Sequence, residues 1–420
     1  MTEELLKTVI RKNPDSEQAF YVIDLKKVYH CYKAMRKELP RVKPHYAIKC
    51  NSDPTLLKFL SILDINYDCA SYGELDIIRG LGVQDLNSHI IFAQPCKMPS
   101  HIKHAKELGV RRMTFDSPEE LRKVHALYPE AELVLRICID DKKSTHNFAK
   151  KFGLHVDRVP EILGLAAQLR ANLIGVSFHV GTDCQNYGSY ESYITAAEKV
   201  FQQARDFGYE FTLLDLGGGF PTAKKPYDVM KEVGEIVNPL LDRFPEKTNF
   251  ICEPGRYLPS TAYTVAVNVF CRKMTYKDND EALGIPTKGV YYVNDGLYQS
   301  FNYIYFDPRV KDPNLLIFDE EHRKDVMARP VVPCTIFGPS CDSIDVIFEK
   351  YEKLPAVKEG EWLYFEDMGA YTISCQTDFN GLKGAFASRY YVWGEEFVDM
   401  DNFVEDIKKK IAVEEEEKSV

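Results

Sequence analysis

Pro44-His45-Tyr46-Ala47-Ile48-Lys49-Cys50-Asn51-Ser52-Asp53-Pro54 runs from a short, mainly apolar segment through a lysine into the opening of a helix. The segment 44–49 reads as a buried strand that closes on one ammonium group. Burying an unpaired lysine is expensive, and the usual escape is a lowered pKa or a chemical task. Asp53-Pro54 then places a capping acid before a proline at the first helical position. A strand that hands over to a helix at a polar residue is the building block of α/β folds, whose working groups gather at the C-terminal ends of the strands.

The same alternation continues through the first 255 residues, with strands expected at 44–49, 67–70, 90–93, 112–115, 133–138, 174–179, 211–216 and 250–253. Ser117-Pro-Glu-Glu120 is a capping box that opens a helix through Tyr128, and Gly109 and Gly208 stand where left-handed C-terminal caps belong. Eight strands alternating with helices are what a (β/α)8 barrel requires, although a doubly wound open sheet has the same periodicity. After Pro254 the pattern turns β-rich: 261–270, 289–293, 331–337, 361–365 and 388–393. The expected organisation is therefore α/β plus all-β. An N-terminal segment (1–30) lends the strand 19–24 to the β domain. A (β/α)8 barrel follows (31–260), then a C-terminal β-sandwich or β-barrel domain (261–400) and an acidic tail (401–420) read as frayed. Polar loops are expected at 275–288 and 307–330.

Composition narrows the function. A length of 420 residues with 45% apolar and 28% charged residues describes a soluble protein with ample core, and a net charge of −10 disfavours nucleic acid or an anionic membrane as partner. No secretory signal or apolar membrane-length run is evident. Eleven cysteines without a CxxC pair fit reduced thiols and a cytoplasmic location, not a zinc site or a disulfide framework, and no metal is expected.

If the first domain is a barrel, Lys49, Asp68, Arg136, His179 and Glu253 converge at the C-terminal ends of five strands. Asp215-Leu-Gly217-Gly218-Gly219-Phe-Pro221 runs a strand into three glycines, which free backbone N–H groups to approach an anion such as phosphate. The alternative is a tight turn. Glu253-Pro-Gly-Arg256 puts a carboxylate and an arginine on the next loop, where barrels commonly complete a phosphate site. A phosphate at one end, a carboxylate for a ring nitrogen at the other, and a lysine for an aldehyde describe pyridoxal 5′-phosphate (PLP). A lone histidine ending a strand is usually packing, but in this company the His179 ring could lie over the cofactor. In the β domain, Gly338-Pro-Ser-Cys341-Asp342 is a turn presenting a thiol beside a carboxylate, either a structural cysteine or a proton donor. Glu366-Asp-Met-Gly-Ala-Tyr371 ends in an aromatic hydroxyl, and the aromatics and Asp307 after Asn294-Asp-Gly296 could line a pocket.

From about residue 19 to 393 the chain resembles the eukaryotic-type ornithine decarboxylases, PLP-dependent enzymes with an alanine-racemase-like barrel. The resemblance rests on Tyr46-Ala-Ile-Lys49-Cys-Asn51, Asp68-Cys-Ala-Ser71, Val176-Ser-Phe-His179-Val-Gly181, Asp215-Leu-Gly-Gly-Gly-Phe-Pro221, Glu253-Pro-Gly-Arg256-Tyr257, Gly338-Pro-Ser-Cys341-Asp342 and Glu366-Asp-Met-Gly-Ala-Tyr371. It implies Lys49 as the Schiff-base lysine, Glu253 on the pyridine nitrogen, and His179 stacked on the ring. Asp68, Arg136, Pro254 and Gly255 would complete the cofactor site, and Thr182, Gly218, Gly219, Arg256 and Tyr371 would hold the phosphate. It further implies Asp307 and Asp342, with Tyr298, Phe306 and Phe379, as the substrate pocket, and Cys341 as the donor of a proton to the carbon that loses CO2. Family members are homodimers in which Cys341 and Asp342 enter the partner's site, and antizyme is a further implied partner. Thr182 departs from the usual serine and Phe306 from a frequent tyrosine. The implied activity is decarboxylation of L-ornithine to putrescine in polyamine synthesis. The alternatives are a lysine or arginine decarboxylase, or an inactive antizyme-inhibitor-like regulator. The racemases share the barrel but are not expected to carry Cys341-Asp342.

Overall fold

A computed structural model describes residues 2–139, 151–184, 186–222, 225–277, 286–305 and 311–417. The chain divides into two compact units, Tyr29–Leu258 and a second made of Met1–Val28 with Pro259–Val420.

In the first unit eight parallel strands close on themselves: Val42–Ala47, Asn66–Cys69, Ile90–Phe92, Arg112–Phe115, Glu132–Cys138, Leu173–Ser177, Leu213–Asp215 and Asn249–Cys252. The last pairs with the first (Phe250 opposite Val42), and the fourth pairs with the fifth (Met113 opposite Leu133), so the sheet is a barrel and not an open doubly wound sheet. Parallel strands need long crossovers, and helices supply them. The Asp53 carboxylate accepts the Thr55 N–H at 3.0 Å with Pro54 following it, and Ser117 Oγ accepts the Glu120 N–H at 3.1 Å, each cap contributing about 1 kcal/mol. Gly109 and Gly208 adopt φ of 75° and 82°, the left-handed conformation that ends a helix cheaply in glycine. Ile91, Val134, Leu213 and Ile251, from four of the strands, pack into one apolar cluster.

The second unit is mostly sheet. Tyr263–Tyr276 is its long central strand: its first half pairs antiparallel with both Phe20–Asp24 and Trp362–Phe365, and its second half with Pro286–Val293. Phe20–Asp24 is also paired, in parallel, with Arg389–Trp393. The helix Thr2–Lys12 buries Leu5, Leu6 and Val9 against Phe20, Val22, Trp362 and Val392 of this sheet.

Three expectations need correction. The first strand ends at Ala47, and Ile48–Cys50 forms a short 3-10 turn. Asn51 imposes that turn: its N–H bonds Ile48 O at 3.0 Å, its side-chain oxygen accepts the Asp53 N–H at 3.0 Å, and its carbonyl takes the Tyr46 hydroxyl at 3.0 Å. Within the region read as the loop 307–330, Glu320–Ala328 is helical, capped by Asp319 accepting the His322 N–H at 2.8 Å. The tail is a helix, Phe403–Glu417, because it has something to bury: Phe403 and Ile407 are in the core, and buried Glu414 pairs with Lys26 at 2.6 Å.

Candidate active site

Lys49, Asp68, Arg136, Ser177, His179, Asp215, Gly217–Gly219 and Glu253 all sit at or just beyond the C-terminal ends of barrel strands. Lys49 is not the buried ammonium that its sequence suggested. Its side chain is 43% exposed and its Nζ donates to Asp68 Oδ2, while Asp68 is fully buried. The 3-10 turn lifts the ammonium out of the strand and toward the barrel mouth. Among the described residues of this unit the buried lysine is Lys97, whose Nζ pairs with Glu120 at 3.0 Å and donates to the carbonyls of Gln94 and Thr114 at 3.0 and 2.7 Å.

The three buried acids, Asp68, Asp215 and Glu253, give this mouth its electrostatics. Burial, followed by the charges of Asp215 and Asp68, pushes the Glu253 carboxyl well above the usual carboxylate range. Burial likewise pushes Asp215 up to about 6. Asp215 Oδ1 accepts the Gly217 N–H at 2.9 Å, whereas its Oδ2 is buried and, the Glu253 carboxyl apart, meets no donor among the described residues. The Glu253 carboxyl lies against it, so a single proton held on Glu253 satisfies both groups. Asp215 is the site residue to which sequence reasoning assigned no role. The signal was present, since an acid two residues before a glycine turn is placed to bond the turn's N–H.

His179 is held neutral: burial, then the charges of Arg136 and Lys49, hold its pKa well below the usual value. Its Nδ1 accepts the Gly181 N–H at 3.0 Å, which leaves the proton on Nε2. The Arg136 guanidinium lies over the Phe152 ring at 5.4 Å.

The glycine triplet is a close approach of backbone. A Cβ on Gly218 would stand 2.8 Å from both the Glu253 carbonyl and His179 Nε2, and one on Gly217, whose φ is 60°, would stand 1.9 Å from the Phe178 carbonyl. Gly219, with φ of 107°, would press a Cβ to 2.5 Å from Val180. The Gly217 carbonyl accepts the Glu253 N–H at 2.7 Å, tying this loop to the next one. Pro254 is buried, Gly255 and Arg256 are half-buried on that next loop, and the Pro254 carbonyl takes the Ala47 N–H at 3.0 Å. Thr182 is half-buried in the turn after His179.

These residues fit PLP. The glycine cradle admits no side chain, Arg256 is on the adjacent loop, Glu253 is a desolvated carboxyl able to share a proton, and buried Asp68 Oδ1 has no donor among the described residues. Lys49 offers an exposed amine beside an acid.

The β unit carries the other expected residues. The Tyr298 hydroxyl donates to Asp342 Oδ2, and the Ile344 N–H donates to Asp342 Oδ1 at 3.1 Å. The Tyr298 bond holds the Asp342 carboxyl below its usual range, and Asp342 in turn pushes Tyr298 up to about 12. Phe379 stacks on Tyr298 with ring centroids 4.2 Å apart. Cys341 is exposed, its N–H held by Asn380 Oδ1 at 3.1 Å. Asp345, next in the same loop, is buried and accepts the N–H groups of Leu297 and Ser340 at 2.8 and 3.0 Å, fixing the turn that presents Cys341 and Asp342. Tyr371 has φ of 58°, uncommon for a residue with a side chain and frequent at functional sites. Phe306 and Asp307 lie outside the described residues.

Residues 25–260 match the family model of the pyridoxal-dependent decarboxylases, described as their pyridoxal binding domain. The chain belongs to the pyridoxal-dependent decarboxylases. As a member of this family it is a carboxy-lyase that uses PLP. It is 39% identical over 392 residues to the ornithine decarboxylase of Neurospora crassa, covering 88% of this chain and 80% of that protein. It is also 40% identical over 390 residues to antizyme inhibitor 2 of Xenopus laevis, covering 91% and 84%. Among solved structures, the arginine decarboxylase of Paramecium bursaria Chlorella virus superposes with a TM-score of 0.83 at 30% identity, covering 93% of this chain and all of that one. The decarboxylase is therefore of the eukaryotic ornithine-decarboxylase type in sequence, with the barrel and separate β domain of its structural neighbours. Among the described residues no helix is long and apolar enough to cross a membrane.

Proposed function

We propose that the chain decarboxylates L-ornithine to putrescine and CO2, the entry step of polyamine synthesis, as a cytoplasmic homodimer that shares its sites between subunits. The observation that carries the substrate assignment is Asp342, held ionised by Tyr298 in the same turn that presents Cys341. An ionised carboxylate at the far end of a pocket asks for a distal ammonium. A neutral side chain would leave that carboxylate unpaired, and the penalty makes rejection strong. Ornithine over lysine is a finer choice, because one methylene is worth only about 1–3 kcal/mol.

Each residue has a task that its chemistry suits. Gly218, Gly219 and Arg256, with Thr182 and Tyr371, would hold the cofactor's phosphate, and Lys49 would hold its aldehyde carbon. Asp68 at the Lys49 amine can take or return a proton there. Glu253 would keep a proton at the ring nitrogen, and neutral His179 would pack on the ring face without adding charge. PLP, when bound, supplies an electron sink for the bonding pair left as CO2 departs. The Cys341 thiol, from the partner subunit in this reading, would deliver a proton to the decarboxylated carbon, and Asp342 with Asp307 would bind the distal amine.

The test is CO2 release from L-ornithine, L-lysine and L-arginine by the PLP-loaded protein. We expect the highest kcat/KM with ornithine; a higher value with either other amino acid overturns the substrate assignment. Mixing inactive Lys49→Ala and Cys341→Ala chains should restore part of the activity, and no restoration removes the shared site.

A further inference from the structure

Cys341 is exposed, so packing does not fix its thiol and the backbone must do so. Its neighbours are well anchored: the Ser340 N–H donates to Asp345 Oδ2 at 3.0 Å, and the Asp342 N–H to Ser340 Oγ at 3.3 Å. The Cys341 N–H leaves this loop and donates to Asn380 Oδ1 at 3.1 Å, 39 residues along the chain. Asp342 does not need that bond, because Tyr298 and the Ile344 N–H already hold both of its carboxylate oxygens. Asn380 therefore bears on the thiol and not on the acid beside it.

Asn380 sits in a turn that closes without help from its side chain. The Gly381 N–H donates to the Asp378 carbonyl at 2.8 Å, and the Leu382 N–H to the Phe379 carbonyl at 3.1 Å. The Asn380 φ of 54° is left-handed, a conformation that asparagine tolerates better than most residues, often by bonding its own backbone. Here the side-chain oxygen is spent on Cys341 instead. The whole turn is fastened to Tyr298: the Thr377 N–H donates to the Tyr298 carbonyl at 2.8 Å, and Phe379 stacks on the Tyr298 ring. Tyr298, which holds Asp342, thus also fixes the platform from which Asn380 reaches Cys341.

We infer that Asn380 is a positioning residue for the proton donor: by holding the Cys341 N–H it aims the thiol. A poor aim slows proton delivery without changing how the substrate binds. The role rests on the proposed function, in which Cys341 supplies that proton. The competing role is structural, with asparagine present only because a left-handed turn tolerates it. Two substitutions separate these. Asn380→Gly keeps the turn, since glycine adopts positive φ at no steric cost, and deletes the acceptor. Asn380→Asp keeps an acceptor of the same shape.

Amide hydrogen exchange at Cys341, read by mass spectrometry with residue-level fragmentation of the PLP-loaded protein, reports the bond directly. The kcat and KM for whichever of ornithine, lysine and arginine reacts best report its consequence. In Asn380→Gly we expect Cys341 exchange about three-fold faster or more, kcat lower by about five- to ten-fold, and KM within about two-fold of wild type. Water competes for an exposed bond, which sets that modest size. Asn380→Asp should restore slow exchange and the larger part of kcat. Wild-type exchange or wild-type kcat in Asn380→Gly overturns the inference, as does Asn380→Asp behaving like Asn380→Gly. Cys341→Ala is run alongside. If it keeps full kcat, the proton-donor reading fails and takes the role of Asn380 with it; if it is impaired while Asn380→Gly is not, only the role of Asn380 fails.

Discussion

Asp215→Asn in the apoprotein tests the reading of the buried acid pair. Asp215 is fully buried, and its carboxyl is raised from the ordinary 3.8 to about 6. A raised carboxyl binds its proton more tightly in the folded chain than in the unfolded one. Its contribution therefore leaves stability untouched below the ordinary value, erodes it as pH climbs from about 4 to 6, and is fully developed above that. The full cost is about 3 kcal/mol at neutral pH. Asparagine keeps an oxygen for the Gly217 N–H at 2.9 Å and removes the desolvated charge that burial makes costly. Urea denaturation of PLP-free wild type and Asp215→Asn across pH 4–8 should show similar stability near pH 4. The variant should gain about 2–3 kcal/mol by pH 7. A difference that does not vary with pH, or a variant less stable at pH 7, refutes the reading of Asp215 as an acid whose carboxyl burial holds above its ordinary range.

Gly218→Ala places a Cβ against both the Glu253 carbonyl and His179 Nε2, and overpacking of about 1–3 kcal/mol should weaken PLP binding roughly 10- to 100-fold while leaving far-UV dichroism intact; an equilibrium titration of PLP measures it. Tyr298→Phe removes the donor that holds Asp342 ionised, so KM for ornithine should rise several-fold with a smaller change in kcat, and its pH profile should shift toward higher pH on the acid side as the Asp342 carboxyl returns to its ordinary range. Lys97→Met leaves buried Glu120 paired with Lys123 alone and should cost less than the about 3–5 kcal/mol of a stranded buried charge in urea denaturation, with most of the loss recovered in Lys97→Met/Glu120→Leu.

Local chemistry was the most legible part of the sequence. Asp53, Ser117, Gly109 and Gly208 announce helix ends through groups within three residues of themselves, and those bonds form as read. The glycine triplet announces a backbone approach for the same reason: its crowding comes largely from neighbouring strand ends that the barrel brings together. Solvent exposure was poorly legible because it depends on partners far away in the chain. Lys49 and Lys97 each follow a mainly apolar stretch. Which of them is buried depends on Asn51 bending one segment outward and on Glu120, 23 residues on, waiting for the other. The tail misled for a related reason. Its run of glutamates reads as solvated, but Phe403, Ile407 and the Lys26–Glu414 pair anchor the helix from the side that composition does not display.

The single bond from the Glu253 N–H to the Gly217 carbonyl has a bearing on how this protein could change over generations. It welds the loop read as the phosphate cradle to the acid read as the ring-nitrogen partner, so neither can drift while the other stays. An insertion or a bulky replacement in the triplet would loosen both ends of the cofactor seat at once. Loss of the cofactor along such a lineage should then come as one abrupt step rather than a gradual slackening. The surrounding barrel would survive it, free to be kept for some other use.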